Sequence, residues 1–472
     1  MKEDQQIEQN NSQESIDRTG AWPVLVTVSC GFLALSLDFL FSISSVLLEP
    51  TFLSGFGLMI LQIGILSALG GGVGIAAGEL LFRYEACIQS MIRFLRLGRW
   101  LPFFVVWAAP IWWIRWSNPL NVPLWTESIF QVVIPTFPTI MFTACYFYLS
   151  ARHTLQLNRR TATFMSLTPI VSDALLLSFI LQVTLYVNGW NWFVPIDFEP
   201  MARPSAAVLL VGGLSFLLYW IGRCTFEKIA NMNGVAIIRQ LRETNWISFL
   251  GAGILWFLCF ALWYRLFVLM RDIFEIAPLQ EVVSAASRLL TKGSMIANIE
   301  EPLWLDVWVS SQELVEGLLS AGVAAIIAVK LVHVVAGSNI RSSWVFAVTH
   351  TVPIVLAIWF MPWIGINHWL RAAIVAAVSF LPIVQSLWGL RDQPLASRTV
   401  LALDNALPYA FVGMLFGQLW ASTAGLGFFI VASRAVGNRT EALATSLITF
   451  GLMVVVSVIL RLAAKRLGAQ AG

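Results

Sequence analysis

Asp38 and Lys330 are the residues whose type and setting point most directly to chemistry. Asp38 lies inside LALSLDFLFS, and Lys330 sits six residues before the end of the apolar run 312–336. Ionisable groups inside a bilayer are costly, so they mark a pathway or a buried pair. Two readings stand for Lys330. It could attract an anionic solute along a pathway, or its four-carbon stem could snorkel to the interface. Asp38 reads as half of a structural pair with a basic group on another helix, or as a polar contact between halves of the molecule. Asp173 follows Pro169 by four residues and Asp404 precedes Pro408 by four, so they form no symmetric carboxylate pair. Glu79 and Arg83 share a helical face at i,i+4 and are expected to pair locally. Glu313 and Glu316 open the run 312–336, where acidic groups suit a helix N-terminus; docking of an external binding protein is the rival reading.

No GxSxG, GK[ST] or metal-ligand spacing occurs, so no enzyme activity, cofactor or metal is expected. The stretch 70–78, GGGVGIAAG, lies within an apolar run and suits close helix approach. Five cysteines lie far apart and read as buried thiols. Many of the 21 tryptophans, Trp100 among them, fall near the ends of apolar runs, as in an aromatic belt.

These residues need elements that span a membrane. Charged residues make up 12% of the chain and hydrophobic ones 58%, against roughly 25% charged in soluble domains. The fold class expected is an all-α polytopic membrane protein. Twelve windows approach the ~20 residues needed to cross a bilayer. The first six are 22–48, 57–81, 101–116, 129–151, 164–187 and 205–222. The second six are 247–270, 312–336, 344–363, 371–390, 405–432 and 442–463. With both termini cytoplasmic, most of the 29 lysines and arginines fall on the inner face, as the positive-inside rule requires. The net charge of +3, with no basic cluster beyond the membrane flanks, excludes nucleic acid. Residues 1–20 are polar and read as a disordered cytoplasmic N-terminus. Residues 21–222 and 246–472 read as two six-helix halves joined by the polar linker 223–245. The segment 276–293 has apolar residues at helical spacing and is expected to lie flat on the outer surface, against the membrane or the transmembrane core.

The C-terminal part carries a family likeness. Trp363-Ile364-Gly365-Ile366 ends one apolar helix, and Leu381-Pro382-Ile383 then Gly389-Leu390-Arg391 follow in the next. Ala406-Leu407-Pro408-Tyr409 opens another, Ser422-Thr423-Ala424-Gly425-Leu426-Gly427 forms a small-residue turn, and RLAAKRL (461–467) closes the chain. Upstream, Pro278-Leu279-Gln280-Glu281-Val282 fits the family's P-x-x-E-V segment. In order and spacing this resembles the inner-membrane permeases of binding-protein-dependent ABC importers, more narrowly the nitrate/sulfonate/taurine branch. The N-terminal half resembles it in outline, as a diverged copy. The resemblance implies a fused type I permease in a bacterial-type inner membrane. It implies cytoplasmic ABC ATPase subunits, a periplasmic solute-binding protein and a small, anionic solute.

The family also carries a cytoplasmic E-A-A…G loop that forms a coupling helix on the ATPase. Here the bridge 392–405 is shorter and lacks Glu-Ala-Ala, as does 153–168. Arg152, Arg159, Arg160, Arg391 and Arg398 are the expected remnants of that contact. The alternative is a permease-fold protein uncoupled from any ATPase, acting as a scaffold or partner subunit of another complex. A proton- or ion-coupled transporter would need a buried network of ionisable residues.

Overall fold

The computed structural model describes residues 50–82, 85–108, 124–153, 156–184, 278–294, 303–336, 367–390, 394–422 and 424–468. Among them every regular element is a helix. In chain order these are α1 (Pro50–Ile65), a π-turn at Leu66–Gly70, α2 (Gly71–Phe82), α3 (Glu85–Gly98), α4 (Leu101–Ala108), α5 (Leu124–His153) and α6 (Arg159–Thr184). Then come α7 (Leu279–Thr291), α8 (Trp304–Ala336), α9 (His368–Gly389), α10 (Leu395–Ala421), α11 (Leu426–Ala435) and α12 (Arg439–Arg466).

Among the described residues, five segments are long and apolar enough to cross a membrane: Gly57–Phe82, Trp304–Lys330, His368–Leu387, Leu395–Leu419 and Arg439–Arg466. The described residues are therefore all-helical outside their turns and include several candidate membrane spans. The expected windows 129–151 and 164–187 lie within α5 and α6, the second as far as Thr184. Windows 22–48, 205–222, 247–270 and 344–363 fall outside the described residues, as do the linker 223–245 and Asp38. Window 101–116 is described only as far as Ala108.

Without a hydrophobic drive between helices in lipid, close van der Waals approach has to hold them together. The glycines of α2 supply it. A Cβ on Gly74 would come within 2.2 Å of the Met141 carbonyl oxygen and 2.6 Å of the Ala144 Cβ on α5. Gly317 plays the same part on α8, where a Cβ would meet Val375 of α9 at 2.5 Å. The starts of α9 and α12 are fixed by asparagine side chains. Asn367 accepts from the Leu370 amide at 3.0 Å, and Asn438 from the Glu441 amide at 3.1 Å, using donors a helix N-terminus leaves open.

One hydrophobic core runs through both expected halves, from Met59 and Phe104 through Ile170 and Val378 to Phe416 and Met453. α3 adds a second contact through the stripe Ile88, Met91 and Leu95, which packs on Phe142, Cys145 and Leu149 of α5. Cys145 is a buried thiol, as expected. α7 buries Val282, Ala285 and Leu289, spaced i, i+3, i+7. It packs against α12, so it rests on the helical core as the sequence suggested. Val283, beside Val282 in the same segment, is exposed.

Three sequence expectations are corrected. The window 405–432 is not one helix: α10 stops at Ala421 and α11 begins at Leu426. Gly425 adopts φ +107°, a left-handed conformation that suits glycine, and a Cβ there would meet the Gln418 amide at 2.6 Å. Secondly, α8 starts at Trp304, so Glu313 and Glu316 stand well inside it and the helix-terminus reading fails. Asp306 is the acidic residue of its first turn. Thirdly, most of the bridge 391–405 is α10 itself, and most of 153–168 is α6. Only short connections remain, from His153 to Arg159 and from Gly389 to Leu395.

Candidate functional site

The α3–α4 corner carries the site. The buried stripe of α3 faces α5, which leaves Arg96 in its last turn on another face, and the chain turns at Arg99 and Trp100. Both arginines point into the bundle. Arg96 Nη1 lies 2.5 Å from Asp404 Oδ2 on α10, and Arg461 Nε of α12 lies 3.1 Å from the same oxygen. Ser457 of α12 donates to Asp404 Oδ1 at 2.5 Å and accepts from Arg96 Nη2 at 2.9 Å. Arg96 also donates to Asn405 Oδ1 at 3.0 Å.

Arg99 is 5% exposed and Asp173, on α6, is 1% exposed. Arg99 Nη1 stands 3.7 Å from Asp173 Oδ2, a looser pair than that at Asp404. Two hydroxyls bond the Asp173 carboxylate directly: Thr143 of α5 at 3.2 Å and Tyr409 of α10 at 3.1 Å. The Arg99 guanidinium also lies 5.5 Å from the Trp100 ring centre, 5.0 Å from Tyr146 and 4.9 Å from Phe147, within cation–π range. Trp100 meets Tyr409 edge-to-face at 5.2 Å. It is fully buried, so it belongs to the core and not to an aromatic belt. Trp304, Trp308 and Trp369 are exposed, as belt residues are.

The corner thus brings together two arginines from the first expected half, two aspartates from different halves, and Tyr409. In the sequence Arg96 and Arg99 fall between the apolar windows 57–81 and 101–116, and nothing there marks their role. The available signal was Asp173 and Asp404 themselves, carboxylates in apolar runs that need a cation nearby.

A second polar knot surrounds the break between α10 and α11. Arg371 of α9 bonds Glu313, which also accepts from Gln418 Nε2 at 2.7 Å. The amides of Gly425, Leu426 and Gly427 donate to Asp306 at 2.6 Å, Ser310 at 2.8 Å and Gln418 at 2.7 Å. These side chains occupy the donors that open α11, so Glu313 serves the interior of the bundle.

The other expected site residues lie apart. Lys330 is exposed at the end of Trp304–Lys330, where its stem can reach an interface. Arg159 and Arg160 are exposed at the start of α6, and Arg398 is half-buried on α10. Arg391 falls outside the described residues. Arg152 turns inward: its guanidinium lies 4.3 Å from the Phe82 ring centre, its Nη1 donates to the Leu157 carbonyl at 2.9 Å, and its Nε is 3.9 Å from Glu79. Tyr148 donates to the same Glu79 carboxylate. Glu79 is therefore held from α5, across the helix interface; the expected partner Arg83 lies outside the described residues.

No family model, no curated protein and no solved structure matches the chain.

Proposed function

We propose that the chain is a multi-pass, permease-type membrane protein that works without an ABC ATPase, as a scaffold or partner subunit of another membrane complex. The observation that carries this reading is the architecture of the two bridges. An ATPase-coupled permease needs a projecting element to seat in the motor. Here residues 395–405 are the first part of a membrane-length helix, Ser397 and Asp404 within it are buried, and Arg152 is spent on Glu79. A fold can outlive the loss of its motor contact. The repeat-like plan supports the permease side of the reading. In each expected half a glycine-bearing helix packs on the first arm of a tightly joined hairpin, α2 on α5–α6 and α8 on α9–α10. Both termini are assigned to the cytoplasmic side on the distribution of positive charge, and the bacterial-type inner membrane is what the family resemblance implies.

One observation favours the ATP-driven importer as a second reading. The Ser422–Gly427 turn, part of the family likeness, is a genuine break between two helices and is tied into the bundle by Asp306, Ser310 and Gln418. Under that reading ATPase subunits would meet Arg159, Arg160, Arg391 and Arg398, and a binding protein would deliver a small anion.

ATP hydrolysis by membranes containing the chain separates the two. Under the proposal, Arg391→Ala combined with Arg398→Ala leaves it unchanged. A fall in hydrolysis that depends on the chain, with its level in the membrane unchanged, overturns the proposal in favour of the importer.

A further inference from the structure

We propose that Asp173 is a proton-binding site inside the bundle, its carboxylate taking up and releasing a proton while the helices around it stay packed. The contrast between the two buried aspartates carries the argument. Asp404 is gripped by two arginines and a serine, all within 3.1 Å. A proton there would strip two guanidinium groups of their anion. Asp173 is different. Its direct hydrogen-bond partners are the hydroxyls of Thr143 and Tyr409. A hydroxyl can donate to a carboxylate or accept from a carboxylic acid, so this pair serves both states.

The cation nearest Asp173 can also tolerate the change. Arg99 Nη1 stands at 3.7 Å, and neither Nη1 nor Nε makes a hydrogen bond among the described residues. Its charge also meets the Tyr409 hydroxyl and is cradled by the faces of Trp100, Tyr146 and Phe147. Neutralising Asp173 therefore leaves Arg99 with its ring contacts. The elements packed around α6 carry other ionisable groups, Glu127, Cys145, Tyr148 and His153 of α5 among them. Tyr146 and Arg152 come from α5 and Tyr409 from α10. Glu79 of α2 is held by Tyr148 and Arg152, and α1 carries no ionisable side chain.

A route for the proton lies on α5. Thr136, Thr139 and Thr143 are buried at i, i+3 and i+7, which places three hydroxyls along one face of that helix. Thr143 bonds Asp173, and Thr139 Oγ1, one turn away, is buried without a hydrogen-bond partner among the described residues. A buried orphan hydroxyl one helical turn from the hydroxyl that bonds a buried carboxylate is an arrangement that suits a hydroxyl or water relay. The inference rests on this geometry and not on whether an ATPase is bound.

The test is infrared difference spectroscopy of the full chain in lipid nanodiscs as the pH is lowered. The carbonyl stretch of a protonated carboxyl group is expected to grow on acidification, to vanish in Asp173→Asn, and to shift in Tyr409→Phe, which loses one hydrogen bond to it. No such band, or a band that survives in Asp173→Asn, overturns the proposal. If Asp173→Asn does not fold, the hydroxyl variants decide. A band that Tyr409→Phe and Thr143→Val both leave unshifted does not belong to Asp173.

Discussion

Asp404 and its partners show why the corner of α3 and α4 matters at the level of single residues. Two guanidinium groups share one buried carboxylate, so neutralising it leaves both without a counter-charge. Breaking a buried pair by removing one partner costs about 3–5 kcal/mol. Arg461 is 40% exposed on its side chain and screened, so most of the loss falls on Arg96. Asp404→Asn is therefore expected to destabilise the detergent-solubilised protein by about 3 kcal/mol, read from chemical denaturation. A loss below about 1 kcal/mol, the range of an exposed pair, would mean that the joint contributes little. The sequence showed that Asp173 and Asp404 sit in apolar surroundings. It could not show their partners, because Arg96 and Arg99 are distant in the chain and look like ordinary flanking cations. Nothing local distinguishes an arginine that turns into the bundle from one that faces water.

At the scale of helices, close packing at glycine is the testable feature. Gly74→Ala forces a Cβ against the Met141 carbonyl and Ala144 of α5. Over-packing of this kind costs about 1–3 kcal/mol. Gly64→Ala meets nothing within 4 Å, so it is expected to be neutral or to stabilise by up to about 1 kcal/mol through helix propensity. Denaturation of the two variants side by side checks both, and equal effects would contradict the packing account. α7 offers a second handle. Glu441 of α12 is fully buried and accepts from Arg288 and Ser294, both at 2.7 Å. Glu441→Gln weakens this tie and is expected to speed amide exchange across 279–291 while the core of α12 stays protected. Unchanged exchange in α7 would show that Val282, Ala285 and Leu289 hold it alone. Helix existence was legible in the apolar runs, because a span must be long and continuous. Helix ends were not. The start of α8 at Trp304 extends beyond its apolar run. The break at Gly425 depends on a left-handed turn and on amide partners more than a hundred residues away.

For the whole molecule, composition alone set the class, since so few charges cannot cover so large an apolar chain. The same composition could not say whether a motor is attached. That depends on what the two bridges do in space, and among the described residues they are absorbed into α6 and α10. The membrane-embedded subunit reading also requires both termini on one side. Reporter tags at the two ends are expected to be protected equally in inside-closed vesicles, and opposite protection would remove the basis for an even number of spans. The most direct test of the central claim is the stoichiometry of the native complex. The tagged chain is purified from its own membrane in mild detergent, and the bound subunits are quantified by mass spectrometry. The account predicts no stoichiometric ABC ATPase and, in its place, a reproducible set of other membrane subunits. Two nucleotide-binding domains for each chain would contradict it and restore the importer.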